Sequence, residues 1–228
     1  WAGWAGWRHT PLPALAAGWQ ADHRAGVGET RRVQLPDGTQ VWLRALSAFN
    51  VDYSASLRRL QLVDGEILID TGSDPARPFV VATGQGRLQA LGTRFSVRQE
   101  SDGVLLAVYG GAVRVVTARR QVSGVVPAGQ QAYFTADALR PMTPASPARE
   151  AWARGILVAD GIPLGQVVEE LRRYHAGHLG VDPEVAGLRV FGSYPLNDLP
   201  HALDMLASVL PVRVRRPMSW WLSIEARR

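Results

Sequence analysis

A short apolar alternation reads Val33-Gln34-Leu35, breaks at Pro36-Asp37-Gly38-Thr39 and resumes as Val41-Trp42-Leu43. Alternation with a period of two is typical of a half-buried strand, and a Pro-Asp-Gly cluster between two such runs predicts a β-hairpin with a four-residue loop. Similar runs follow, separated by glycine-containing turns, at residues 60–63, 67–69, 79–82, 88–91, 95–97, 104–108, 113–117, 122–126 and 131–134. The pattern predicts an all-β domain of about ten or more short strands over residues 28–139, and a sandwich, a barrel and a stacked meander all fit it.

The segments on either side of this domain have a different composition. Residues 1–27 contain several prolines and glycines without sustained periodicity, which predicts an arm or linker. Residues 140–151 include three prolines among small neighbours, a composition typical of an extended, semi-rigid linker. A second domain is therefore predicted over residues 152–228.

The apolar period becomes helical in this second domain. One stripe is formed by Leu164, Val167, Val168, Leu171 and Tyr174, with a Glu169–Arg173 ion pair predicted on the other side, and a second by Leu199, Ala202, Leu203 and Leu206. Asn197 or Asp198 is predicted to cap the second helix. Strand-like runs at 155–159, 178–181, 188–194, 212–215 and 220–224 surround the two helices. The order β-α-β-β-α-β-β predicts a small α+β domain. Because the all-β domain before it is larger, the predicted fold class of the whole chain is mainly β.

Composition limits the classes of function. The 228 residues include no Cys, which excludes disulfides, thiolate metal sites and a cysteine nucleophile. The net charge of +5 comes from 25 arginines against 20 acidic residues, with no Lys. Arginine pairs are spread along the chain and interleaved with acidic residues, whereas a nucleic-acid interface concentrates them in one stripe. We therefore expect no nucleic-acid partner.

Candidate catalytic groups are few. Asp64 and Glu66 flank a glycine in a predicted turn, where Asp-Gly is common for its backbone geometry alone. His175 and His178, with Asp182 nearby, lie across a predicted helix end and lack the spacing of a metal-binding helix. The sequence predicts no catalytic, cofactor or metal site, and hence a protein that is not an enzyme.

Three tryptophans, Trp1, Trp4 and Trp7, occur in the first seven residues. No window approaches the roughly 20 apolar residues that span a bilayer. Because Trp is enriched where a membrane helix meets water, the segment fits either the end of a membrane helix or an amphipathic tail that packs on the body.

Five motifs, in this order, resemble the extracytoplasmic part of the FecR family of transmembrane anti-sigma regulators. The resemblance covers residues 28–43, 60–67 and 77–83, followed by Leu91-Gly92-Thr93-Arg94-Phe95-Ser96-Val97 and Val126-Pro127-Ala128-Gly129-Gln130. Residues 152–224 are similar to the short N-terminal signalling module (STN) of secretins and TonB-dependent transducers. The family's cytoplasmic sigma-binding segment and its membrane helix are missing from this sequence, and the resemblance implies that Trp1, Trp4 and Trp7 mark the periplasmic end of that helix.

The resemblance implies a periplasmic sensor attached to the inner membrane as a single-pass protein. Such a regulator binds the signalling domain of an outer-membrane TonB-dependent iron-chelate receptor and relays the signal to an extracytoplasmic-function (ECF) sigma factor. The sigma factor binds the missing cytoplasmic segment, and the family's regulated proteolysis adds a periplasmic or membrane protease as a further expected partner.

We expect the partner to add a strand to an exposed edge of the C-terminal domain. The candidate edges are residues 188–194 and 212–215, with an adjacent Trp pair as a hot spot. The partner-binding residues predicted in this way are Leu188, Val190, Gly192, Tyr194, Val212, Val214, Trp220 and Trp221.

An alternative hypothesis from another class is a carbohydrate- or peptidoglycan-binding β-domain. Trp42, Tyr53 and Tyr133 are the side chains that would stack on sugar rings in that case. An enzyme that uses Asp64, Glu66 or His175 is the third hypothesis.

Overall fold

The structure is a computed structural model that describes residues 21–218 and 220–227. Its N-terminal part contains fourteen strands and no α-helix within the described residues. They are β1 (His23–Arg24), β2 (Arg31–Gln34), β3 (Gln40–Leu43), β4 (Ala48–Tyr53), β5 (Arg58–Asp64), β6 (Glu66–Asp70), β7 (Phe79–Thr83), β8 (Gly86–Ala90), β9 (Arg94–Gln99), β10 (Val104–Gly110), β11 (Ala112–Thr117), β12 (Ser123–Pro127), β13 (Gln130–Phe134) and β14 (Thr143–Pro144).

These strands form a sandwich of two seven-stranded sheets. One sheet has the order β1-β4-β5-β7-β8-β11-β12, and the other has the order β14-β13-β10-β9-β6-β3-β2. Inward side chains of both sheets, such as Phe49, Leu60 and Phe79 from the first and Phe95 and Phe134 from the second, pack in one buried core. The predicted all-β architecture is confirmed. Of the three arrangements that fit the sequence pattern, the structure shows the sandwich.

The predicted opening hairpin is present, with Val33 opposite Val41, but five residues, 35–39, connect its strands instead of the predicted four. Strand β4 was missed, because Ala48–Tyr53 contains Asn50 and Asp52 and shows weak apolar alternation. Of the predicted arm 1–27, residues 1–20, with Trp1, Trp4 and Trp7, lie outside the described residues, and β1 falls in the remainder. The predicted linker 140–151 contains β14 and the start of a 3-10 helix, Pro147–Arg154.

The C-terminal part is the predicted small α+β unit. It contains β15 (Ile156–Pro163), α1 (Leu164–Arg172), β16 (His178–Val181), α2 (Pro183–Ala186), β17 (Arg189–Pro195), α3 (Leu199–Val209), β18 (Val212–Met218) and β19 (Trp221–Ala226). Strands β15 and β17 pair as one small sheet, and β16-β19-β18 form a second. Helices α1 and α3 pack their apolar stripes against both sheets. The predicted order of elements is confirmed, with the short α2 added.

Local chemistry explains where the helices begin and how α1 is paired. The Asp198 side chain accepts a hydrogen bond from the His201 N–H at 3.0 Å and so caps α3, as predicted. The predicted ion pair from Glu169 to Arg173 was wrong: Glu169 pairs with Arg172, and Arg173 lies 3.9 Å from Glu170. Spacings of three and four residues both bring side chains together on a helix, and here the spacing of three is used in each case.

The C-terminal unit and the sandwich share a buried contact. Leu68, at the centre of β6, points away from the sandwich core and is fully buried among residues of the C-terminal core. Trp42 and Tyr109 of the same sheet also pack against this C-terminal core. Because β6 is buried on both faces, it reads as the continuous apolar run Ile67-Leu68-Ile69 rather than as an alternation.

Candidate functional site

The first candidate surface is the hairpin of β18 and β19. Val212 is fully buried and Val214 partly buried, whereas Arg213 and Arg215 point outward. Within the described residues, no strand pairs on the side of β18 away from β19. The predicted strand 212–215 is therefore present and has an open edge, but the Val212 side chain lies in the core and cannot touch a partner.

An exposed aromatic cluster lies at one end of this hairpin. Trp220, immediately before β19, is 51% exposed, and Trp221, the first residue of β19, is 42% exposed. Their rings meet edge to face at 5.8 Å, and Trp221 also stacks on His178 at 4.2 Å. Sequence reasoning expected one of the two tryptophans to be exposed at least in part; both are, because Trp220 precedes the strand.

The second candidate surface is β17. It pairs with β15 on one side only within the described residues. Val190 and Tyr194 are buried in the C-terminal core, Leu188 is half-buried before the strand begins, and Gly192 is exposed with a φ of 128°. The prediction that 188–194 forms an edge strand agrees with this geometry, although its large apolar residues face the core.

Sequence reasoning missed the outward-facing residue of β17. Phe191 is 64% exposed on the face of the sheet that points away from the helices. Its neighbours in sequence are the buried Val190 and the side-chain-free Gly192, so strand alternation contained the signal. An exposed phenyl ring beside an open edge is typical of a contact surface.

A buried ionic cluster attaches the C-terminal unit to the sandwich. Arg44 lies 2.8 Å from both Glu66 of β6 and Glu170 of α1, and Arg98 lies 2.8 Å from Glu170. The Trp152 indole donates to Glu66 at 3.2 Å. These groups line a groove of about 540 Å³ between the sandwich, β15 and α1. Two carboxylates and two guanidinium groups balance the charge of the cluster.

The electrostatics of this cluster favour its ionised form. Burial alone would lower the pKa of Arg44, but the attraction of Glu66 and Glu170 outweighs burial and raises it. Burial alone would raise the pKa of Glu170, but Arg44 and Arg98 outweigh burial and hold it below its usual range. Arg44 and Glu170 are therefore charged at neutral pH. We call the cluster of Arg44, Glu66, Arg98 and Glu170 the latch, because its ion pairs join the C-terminal unit to the sandwich. Glu66, which sequence reasoning placed in a turn, takes part in it.

The remaining candidates for a catalytic or metal site, Asp64 and His175, lie at the ends of regular elements. Asp64 is exposed at the end of β5, and His175 follows α1. No group of three His, Asp or Glu side chains suited to a metal ion occurs in the part of the chain that the structure describes. The described helices are all too short or too polar to cross a bilayer.

The rings proposed for sugar stacking are largely covered. The guanidinium groups of Arg32 and Arg94 each lie 5.2 Å from the Trp42 ring. Arg140 lies over the Tyr133 ring at 4.4 Å, and Tyr53 packs against the sandwich core. Within the described residues, no contact joins these three side chains to one another.

Two crystal structures resemble the whole arrangement. Both are of a proposed anti-sigma factor from Parabacteroides distasonis, at 2.50 and 1.65 Å resolution. Each has a TM-score of 0.72 and 22% identity; the first covers 90% of this chain and the second 89%, and both matches span 97% of the other chain. At this identity the likeness establishes a shared fold. A comparison with curated proteins gave no match.

The sequence also matches a family model. The match is to the model described as FecR protein and spans residues 21–114, from β1 into β11 of the sandwich. It includes the opening hairpin and three further motifs quoted from the sequence. Over residues 21–114, this chain is therefore similar to the FecR family.

Proposed function

We propose that this chain is the sensor part of an anti-sigma regulator and acts by binding, without catalysis. The match of residues 21–114 to the FecR family is the observation that carries the proposal. The shared fold with a proposed anti-sigma factor, over nearly the full length of both chains, supports it. A sigma factor is the partner that such a regulator requires.

The finer proposal concerns the signal. In this proposal the chain lies in the periplasm and is joined through a membrane helix to a cytoplasmic segment that binds an ECF sigma factor. The chain itself binds the signalling domain of an outer-membrane TonB-dependent receptor. These assignments rest on the family resemblance and on the exposed strands of the C-terminal unit.

The physical basis for reception is main-chain hydrogen bonding. An open edge presents unpaired N–H and C=O groups, and an added strand satisfies them while neighbouring side chains select the partner. Strands β17 and β18 both offer such an edge, and each has exposed apolar rings close by, Phe191 for the former and Trp220 and Trp221 for the latter. Buried rings of this kind supply much of the binding energy in protein interfaces.

A binding titration tests the proposal. The purified chain is titrated with periplasmic signalling domains of TonB-dependent receptors, and heat is measured by calorimetry. We expect saturable binding to one of these domains, with a stoichiometry of one to one. Purified peptidoglycan serves as the control ligand. The absence of binding to any receptor domain would overturn the proposed function, and saturable binding to peptidoglycan would then support the carbohydrate-binding alternative.

A further inference from the structure

We propose that the open edge of β18 is the docking site and that it selects an acidic strand, in which carboxylates alternate with apolar residues. The inference deepens the proposed function and rests on it for the identity of the partner. The chemistry of that partner is inferred from the edge itself.

The register of the hairpin shows which backbone groups are free. The N–H of Arg227 donates to the carbonyl of Pro211 at 3.0 Å, just beyond the two strands. Hydrogen bonds of an antiparallel pair join every second residue pair, so Arg213 and Arg215 bond to β19. The N–H and C=O of Val214 then point to the open side, where an added strand would meet them.

The edge of β17 is less suited to strand addition. Its Gly192 has a φ of 128°, which interrupts the regular extended backbone. The carbonyl of Phe191 already accepts a hydrogen bond from the Tyr194 hydroxyl at 3.0 Å. By contrast, β18 pairs with β19 without interruption from Val212 to Arg215, and its register shifts only beyond that point. A docking strand of about four residues fits this length.

The charge beside the edge is positive. Arg213 and Arg215 share the outward face, with their side chains 53% and 61% exposed, and share a single carboxylate, Glu225, at 3.2 and 3.6 Å. One positive charge of the pair is therefore left without a counter-charge in this local group. Residues two apart in a strand lie about 6.8 Å from each other. A partner strand with carboxylates at the same spacing would place one opposite each guanidinium group.

An apolar patch at the turn of the β18–β19 hairpin adds a second requirement for the partner strand. Met218, Trp220 and Trp221 are each more than two-fifths exposed where the hairpin turns. An apolar side chain following the carboxylates of the partner strand would cover these residues. Exposed Trp and Arg also occur on proteins that bind anionic lipid surfaces. The free edge favours a polypeptide, because a lipid surface leaves the Val214 backbone groups without strand partners.

The test uses an acetylated six-residue peptide that alternates Glu with Val, and a control peptide that alternates Lys with Val. The whole chain is isotope-labelled, and the backbone amide signal of Val214 is followed by NMR. We expect the Glu–Val peptide to shift this signal and the Lys–Val peptide to leave it in place. The double variant Arg213→Glu/Arg215→Glu should weaken the binding by about tenfold or more, since two cross-strand attractions become repulsions.

The matched control variant is Arg87→Glu/Arg114→Glu, which makes the same charge change at exposed positions of neighbouring strands in the sandwich. It should bind the Glu–Val peptide as the wild type does. Equal weakening by both double variants, equal shifts with both peptides, or no shift at Val214 would overturn the inference. So would a Val214 shift caused by phosphatidylglycerol vesicles but not by peptide.

The two proposals fail in different ways. If the peptide binds at β18 and no receptor domain binds the chain, the docking inference stands and the proposed function falls. If a receptor domain binds with equal affinity to the wild type and to Arg213→Glu/Arg215→Glu, the proposed function stands and the docking inference falls.

Discussion

Replacing Glu170 by Gln should release the latch between the C-terminal unit and the sandwich. The substitution keeps the size of the side chain and removes its charge. It leaves Arg44 and Arg98, each 2.8 Å from Glu170 in the wild type, with Glu66 and the more exposed Glu100, 3.7 Å from Arg98, to balance them, and it removes the partner of Arg173 as well. A net positive charge then remains in a largely buried place.

The cost follows from burial. Removing one partner of a buried ion pair costs roughly 3–5 kcal/mol, because the remaining charge is desolvated without compensation. Glu170 keeps 17% side-chain exposure, and Arg44 keeps its contact with Glu66, so we expect the lower part of this range, about 3 kcal/mol. For a chain of this size that corresponds to a melting temperature lower by about 6–12 °C.

The adjacent residue supplies a matched control. Glu169 lies on the same helix, but its side chain is 65% exposed and pairs with Arg172 at the surface. Exposed pairs contribute roughly 0–1 kcal/mol, so Glu169→Gln should change stability little. Urea unfolding at pH 7, followed by Trp fluorescence, measures both variants. Equal destabilisation by the two substitutions would refute the latch.

The same prediction has a pH dependence. The pKa of Glu170 is lower in the folded protein than in the unfolded chain. Its contribution is therefore fully present above the unfolded pKa and is lost as the pH falls through the folded pKa. The stability difference between wild type and Glu170→Gln should shrink as the pH falls below about 4. A difference that is constant from pH 7 to pH 3 would contradict this assignment.

Three other changes test separate parts of the structure. Val214→Pro removes an N–H that points to the open edge, so it should abolish partner binding while the fold persists. Val190→Pro should instead destabilise the C-terminal unit, because Val190 lies in a register that bonds to β15. Circular dichroism measures the fold of each variant, and calorimetry measures partner binding. Leu68→Ala should cost about 2–5 kcal/mol in urea unfolding, because it leaves a cavity between the sandwich and the C-terminal core; a cost below 1 kcal/mol would contradict the shared contact. Gly65→Ala should destabilise the protein far more than Gly129→Ala, although both glycines have positive φ. A Cβ added at Gly65 would lie 2.2 Å from another side-chain atom, whereas one added at Gly129 would meet nothing within 4 Å. Equal decreases in melting temperature for the two variants would contradict this.

Most strands and both long helices followed from the sequence, because local alternation reports which side chains face a core. The opening hairpin and the stripe of α1 are examples. Strand β4 escaped notice because Asn50 and Asp52 interrupt its apolar pattern. Two-residue strands such as β14 carry too few positions for any pattern.

The candidate surface was predictable only in part. The edge 212–215 and the exposure of one of the two adjacent tryptophans followed from strand periodicity, and Phe191 was available from the same rule; the exposure of both tryptophans did not follow, because Trp220 precedes the strand. The latch was not predictable, since Arg44, Glu66 and Glu170 are far apart in the chain and charged residues beside turns usually remain at the surface. Tertiary packing alone brings them together.

Amide hydrogen exchange on the complex tests most directly whether this chain receives a partner strand. The exchange rate of the Val214 N–H is measured with and without a bound receptor signalling domain. We expect strong slowing at Val214 on binding, with no change at Val125, on the outermost strand β12 of the sandwich. A complex that forms while the exchange at Val214 stays unchanged would contradict it.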